Sequence, residues 1–228
     1  MRSKQSGFTL VEIAIVLVII GLLLGGVLKG QELINSAKVK NLATDFRNMS
    51  TFVYAYQDKY RAIPGDDRSA VAHLGATAVC AGTDTSCAAP APATVGDGRI
   101  NGWWNPTAVT DESFVFWQHV RLANLATGTT AIPPSIAAAG DYIPRNAEGG
   151  VMGISGTTPI TGWTGNFFIC SAGVQGRFVR QLDTMLDDGN TTTGTVRAVT
   201  NMAAAAEAAG TDVTPALDAT LYTVCQSF

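Results

Sequence analysis

One carboxylate stands alone in an apolar run. From Phe8 to Leu28 every residue is uncharged except Glu12. Placing an ionised carboxylate in hydrocarbon costs about 2.5–3.5 kcal/mol even on lenient scales, so a residue of this type calls for a cationic partner. Four cysteines, Cys80, Cys87, Cys170 and Cys225, are the next groups able to do chemistry. An even count in an oxidising compartment favours disulfides, and four cysteines allow three pairings. The short spacing makes Cys80–Cys87 the local choice. Cys170–Cys225 would then join a central apolar stretch to the C-terminal one.

Other chemistry finds little support. The cysteines contain no C-x2-C pair, and His73 and His119 lack the spacing of zinc ligands, so no metal is expected. "VGDGRING" supplies Asp97 and Asn101, a fragment of a calcium loop that lacks the alternating oxygens and late Glu of a full one. Asp66, Asp67, Asp187 and Asp188 could add oxygens, but all these residues read more simply as turn formers that bind their own backbone. There is no G-x-S-x-G elbow, no Gly-rich phosphate loop with a Lys and no H-E-x-x-H. A non-enzymatic chain without a cofactor is expected. Trp103, Trp104, Trp117 and Trp163 are expected in the core rather than in a binding patch.

The elements that would position these residues follow from length and pattern. The 228 residues are 46% hydrophobic and 14% charged, with 24 glycines, a bias toward strands and long loops. Net charge is −3, and Arg2 and Lys4 lie in the first seven residues, so the remainder is more acidic still. That balance opposes sequence-independent nucleic-acid binding, which needs a basic surface. The Phe8–Leu28 run is long enough to span a bilayer and too long for the apolar core of a cleaved secretory signal. A plain signal anchor fits the length but gives no role to Glu12. Cleavage between Gly7 and Phe8 would leave the whole helix on the mature chain.

After Lys29 the pattern turns amphipathic. Val39, Leu42, Phe46, Met49, Val53, Tyr56 and Tyr60 step alternately by three and four, the stripe of one continuous helix that Pro64-Gly65 ends. From Phe8 to about Tyr60 such a helix is roughly 80 Å long. Residues 65–110 read as a turn-rich connector, and 129–162 as a Gly-, Thr- and Pro-rich loop, both exposed. "TDESFVFWQHVRLANLATG" reads as a helix capped by Thr110 or Asp111 and followed by Gly128. "RFVRQLDTMLDDG" reads as a short helix with Phe178, Leu182 and Leu186 on one face, closed by Gly189. "GWTGNFFICSAG", "TGTVRAVT" and "ATLYTVCQSF" are candidate strands, and "NMAAAAEAAG" a surface insertion.

"GFTLVEIAIVLVIIG", preceded by a short basic leader, resembles the processing segment of type IV prepilins and pseudopilins. The resemblance implies removal of residues 1–7 by a prepilin peptidase that cuts after Gly7 and methylates Phe8. It also implies that Glu12 lies near the cationic amino terminus of a neighbouring subunit, an ion pair that repays much of its desolvation. The domains would be the leader 1–7, a transmembrane and assembly helix 8–28, its amphipathic continuation 29–62 and a head 63–228. The implied fold is α+β, a long helix packed on a small antiparallel sheet. The implied setting is the bacterial inner membrane, crossed once, with the head in the periplasm or on the cell surface in a filament. Basic residues staying cytoplasmic give the same orientation.

The implied function is a structural subunit serving protein secretion or a surface pilus, with other subunits of the same filament as partners and no nucleic acid. The alternatives are a signal-anchored binding or enzymatic domain and a DNA-uptake minor pilin. Major pilins of the family often have proline where this chain has Lys29. "VYAYQDKYRAIPGDD", "ESFVFWQHVRLANLATG" and "LDTMLDDGNTTTGTVRA" resemble segments shared by the heads of a group of pilin-like proteins; both features favour a pseudopilin or minor pilin. Some pseudopilins bind calcium in the head. Gly21, Gly25, Gly26 and Gly30 fit either close helix packing or the ordinary tolerance of membrane helices for glycine.

Overall fold

A computed structural model describes residues 10–75, 95–200 and 207–228. Helix α1 runs unbroken over Leu10–Tyr60. The chain divides into two compact units, Met1–Lys38 and Val39–Phe228, so the division falls within this helix. In the first unit the described residues are helical and their large apolar side chains are exposed, from Leu10 at 86% to Leu28 at 67%. The most apolar window has a mean hydropathy of 2.8, long and apolar enough to cross a membrane.

The second unit is an α+β head of the pilin-like type. Its part of α1 buries Val39, Leu42, Ala43, Phe46, Met49, Val53 and Tyr56, the stripe expected from the spacing, while Tyr60 stays half-exposed. The helix stops where Arg61 turns to a φ of 57°, just before Pro64-Gly65. Helices α2 (Ala70–Leu74), α3 (Glu112–Leu122) and α4 (Gly176–Leu186) follow. Strands β1 (Met152–Ser155), β2 (Phe168–Gln175), β3 (Val196–Thr200) and β4 (Leu221–Ser227) form one antiparallel sheet in the order β1-β2-β4-β3.

Both faces of this sheet are covered. Ile154, Ile169, Val174, Val196, Ala198 and Val224 share a core with α1, α3 and α4. Phe168, Cys170, Val199 and Cys225 point the other way, to Trp103, Trp104, Ile160 and Trp163. Neighbours such as Phe168 and Ile169 separate because successive strand side chains alternate faces.

Several expectations are corrected. Residues 65–110 are not an exposed connector where they are described: Asp66, Asp67, Ala70, Val95, Ile100, Trp103 and Trp104 are buried. Residues 129–162 are not a free loop either. They contain β1, a 3-10 turn at Ile136–Ala138, and buried Tyr142, Ile143, Met152, Ile154 and Ile160. The reason is that irregular chain packs into both cores without any periodic pattern, Ile100, Tyr142 and Ile143 into the one shared with the helices and Trp103, Trp104 and Ile160 over the other face of the sheet. Asp111 stands at the N-cap of α3, but its side chain makes no cap bond there. Its Oδ2 instead accepts from the backbone N–H groups of Thr107 (3.0 Å) and Ala108 (2.9 Å), tying down the preceding turn. Helix α3 ends at Leu122, where Asn124 takes the left-handed conformation with a φ of 61°, rather than at Gly128. Residues 201–206 of "NMAAAAEAAG" lie outside the described residues, and Ala208 pairs with Ile160 in an isolated parallel bridge.

Candidate functional site

The sequence-derived assembly residues fall at the start of the chain. Gly7 and Phe8 lie outside the described residues. Glu12 is in the first turn of α1, where a carboxylate suits the positive end of the helix dipole. Around it Val11, Ile13, Ile15 and Val16 are all about half exposed or more. An isolated helix thus presents one carboxylate amid apolar surface that other apolar groups or a bilayer must cover.

In the head, Cys170 and Cys225 face each other in the β2–β4 register and form a disulfide across 55 residues. Cys80 and Cys87 lie outside the described residues. All four tryptophans are buried.

A buried polar network joins the end of α1 to α3. Tyr56 Oη donates to Asp67 Oδ2 at 2.7 Å, and His73 Nδ1 lies 2.7 Å from the same oxygen. His119 on α3 is fully buried, and its Nδ1 accepts the Gly65 backbone N–H at 2.9 Å. Accepting at Nδ1 puts the imidazole proton on Nε2. Burial pushes His119 down to about 4, against a smaller upward pull from Asp67. Burial, then the bond to Asp67, pushes the Tyr56 hydroxyl well above its ordinary value. These groups hold the chain reversal after α1 against α3, a structural use of both histidines that no sequence spacing announces.

Arg121, also unremarked in the sequence, is buried and has no carboxylate partner among the described residues. Its guanidinium donates to the carbonyls of Thr127 (3.2 Å), Thr129 (3.0 Å) and Tyr142 (2.6 Å) and lies against the Trp117 and Tyr142 rings. Burial pulls its pKa down, with Tyr142 opposing. One side chain thereby fastens the chain after α3 to the core.

Among the described residues, six carboxylates gather in two clusters. Asp66, Asp97 and Glu112 come together at one. There Asp66 Oδ1 accepts from the N–H of Gly96 and, at 3.3 Å, of Asp97, and its Oδ2 from Gly98 at 2.7 Å. Glu112 Oε2 accepts from Asn101 N–H at 2.7 Å, and Asp97 Oδ2 from the Asn101 amide at 3.0 Å. Asp97, Asp67 and Asp188 each cap the N–H two residues on, the local turn use expected of them. Asp66 differs, binding a loop 30 residues away. The second cluster is Asp183, Asp187 and Asp188, at the end of α4. Asp183 is wholly buried, and burial pushes it up to about 6, with the Gly189 N–H opposing and Asp188 and Asp187 adding. Its place on the core face of α4, one residue after Leu182, was the only hint of it in the sequence.

Comparison with curated proteins and with solved structures finds no match to the chain. The head is therefore characterised by its own geometry. At the N-terminus, residues 2–28 match the model of the prokaryotic N-terminal methylation motif. That motif implies processing by a prepilin peptidase and assembly with other pilin subunits, and points to a structural subunit rather than an enzyme. With an apolar helix long enough to cross a membrane, residues 2–28 carry the N-terminal signature of the type IV pilins and pseudopilins.

Proposed function

We propose that this chain is a pseudopilin or minor pilin, a structural subunit of a type IV pilus-like filament serving protein secretion or a surface pilus. Cleavage after Gly7 and methylation of Phe8 free an amino terminus for assembly. Glu12 of one subunit then pairs with the amino terminus of its neighbour, which makes a residue costly in the isolated helix tolerable in the filament. The head stands in the periplasm or on the cell surface, where an oxidising environment suits its disulfide. The observation that carries this reading is the methylation motif directly continuous with a helix whose most apolar window is 0% buried within the subunit.

N-terminal mass spectrometry of membrane-extracted protein tests it. The expected mature chain begins at methylated Phe8. An intact Met1, or cleavage beyond the apolar run, overturns the proposal.

A further inference from the structure

Beside the stripe that α1 buries in the core runs a second one, shifted by a single position. Asn41, Asp45, Asn48 and Phe52 are spaced by four, three and four, so they share one face of the helix. Opposite them stand Trp117 of α3, Met152 of β1 and the loop 144–147, and between the two walls lie cavities of about 270 and 280 Å³. The first has an apolar floor, with Met49, Trp117 and Met152 buried and Phe52 and Pro144 half-buried. Asp45 and Arg145 line both cavities, which makes them one groove.

The two charges of this groove do not neutralise each other. Asp45 makes no ion pair among the described residues. Burial pushes its carboxyl up from the ordinary value, as expected of a half-buried carboxylate without a cation. Arg145 donates its Nη1–H to the Gly149 carbonyl at 3.0 Å, and its Nε stands 3.9 Å from the exposed carboxylate of Asp141, a pair worth little in water. The loop that carries Arg145 is tied down by buried Asn146. The Asn146 amide donates to Ser171 Oγ and to the Ala172 carbonyl, each at 2.7 Å, and its Oδ1 accepts from the N–H groups of Glu148 and Gly150 at 2.9 Å. A positioned cation thus shares an apolar groove with a carboxylate that lacks one.

The geometry points to a binding site for a free α-amino acid with a large apolar side chain, its ammonium on Asp45, its carboxylate on Arg145 and its side chain over Met49, Trp117 and Met152. A purely cationic ligand meets Arg145, and a purely anionic one meets Asp45. A zwitterion satisfies both charges at once. Small-molecule sites are concave and mostly apolar, with a few placed polar groups that fix orientation. Cavities of this size fall at the low end of the about 300–1,000 Å³ typical of such sites, which suits a ligand of amino-acid size. Walls that are already ordered lower the cost of binding. The bound ligand bridges α1, α3 and the loop 144–147, and so stabilises the folded head. The inference does not depend on how the N-terminal segment assembles.

Full-length protein in detergent is titrated with L-phenylalanine and L-leucine, and with two analogues of phenylalanine. Phenethylamine lacks the carboxylate, and phenylpropionate lacks the ammonium. Binding is read by ligand-observed NMR and by melting temperature. Saturable binding of at least one of the two amino acids, with a Kd of about 1 mM or tighter, is expected, as is a rise in melting temperature. Where phenylalanine binds, each single-charge analogue should bind about tenfold more weakly or worse. The same comparison for leucine uses isopentylamine and 4-methylpentanoate. Asp45→Asn keeps the shape and should reduce the amino acid to the affinity of its carboxylate analogue. Arg145→Gln, at an exposed position, should reduce it to that of its amine analogue. Arg180→Gln, in a surface pair outside the groove, should leave binding unchanged. Absence of saturable binding by both amino acids at about 10 mM overturns the inference. So does a single-charge analogue that binds the native chain as tightly as its amino acid, or binding that survives both Asp45→Asn and Arg145→Gln.

Discussion

The Nδ1 atom of His119 accepts the backbone N–H of Gly65 across 54 residues of sequence, inside a site where the imidazole is fully buried. The bond exists only while that nitrogen is unprotonated. The neighbouring groups that bear on its charge are Asp67, which favours the cation, and Tyr56, whose ring stacks 6.1 Å away.

Burial lowers the folded-state value to about 4, from an ordinary 6.5. Between those values the unfolded chain binds a proton that the folded chain refuses. Stability from neutral His119 is therefore complete above about pH 6.5 and is lost as pH falls toward 4, by up to about 3 kcal/mol. Denaturant unfolding at about pH 7 and about pH 5 reads this. His119→Gln, whose amide oxygen can still accept the Gly65 N–H, should lose clearly less stability over that interval than the native chain. Equal losses would exclude His119 as the source.

The Cys170–Cys225 bond joins β2 to β4. In the chain-entropy picture, closing a loop of this size contributes about 2–4 kcal/mol. Replacing both cysteines by alanine should lower head stability by that order in denaturant melts. Non-reducing peptide mapping should recover a 170–225 linked peptide, and a second one linking Cys80 to Cys87. A peptide joining either of the latter to Cys225 refutes the proposed pairing.

Gly153 in β1 is set by close approach rather than by a turn. A Cβ there would lie 1.7 Å from the Trp104 carbonyl oxygen, a backbone atom that cannot swing away. Gly153→Ala should force β1 from the Trp104 segment and cost about 3 kcal/mol or more. A melting temperature within a degree or so of the native value would show that this approach is not constrained.

For assembly, charge rather than shape at Glu12 is the expected determinant. Glu12→Gln preserves size and hydrogen-bonding capacity, so it and Glu12→Ala should both be inserted in the membrane yet recovered poorly in sheared filaments. Filament incorporation of both variants at the native level would remove the ion-pair argument.

Features that depend on local pattern were legible before folding. A residue-type clash, one carboxylate in an apolar run, marked the segment that matches the methylation motif, and the three–four spacing of Val39 to Tyr56 announced the face of α1 that the head buries. Three of the four strands were legible because β2, β3 and β4 contain apolar, β-branched runs. The rest depends on contacts between distant parts of the chain. β1 is four residues of "MGIS" whose pairing is set by Ile169 and Cys170 across the ladder, not by its own propensity. The second layer over the sheet is irregular chain, which has no period to detect. His119, Arg121 and Asp183 acquire their roles from burial beside Gly65, Tyr142 and Gly189, through backbone groups every sequence possesses. Periodicity reports which face of an element avoids water. It does not report which distant backbone atom a buried polar side chain will meet.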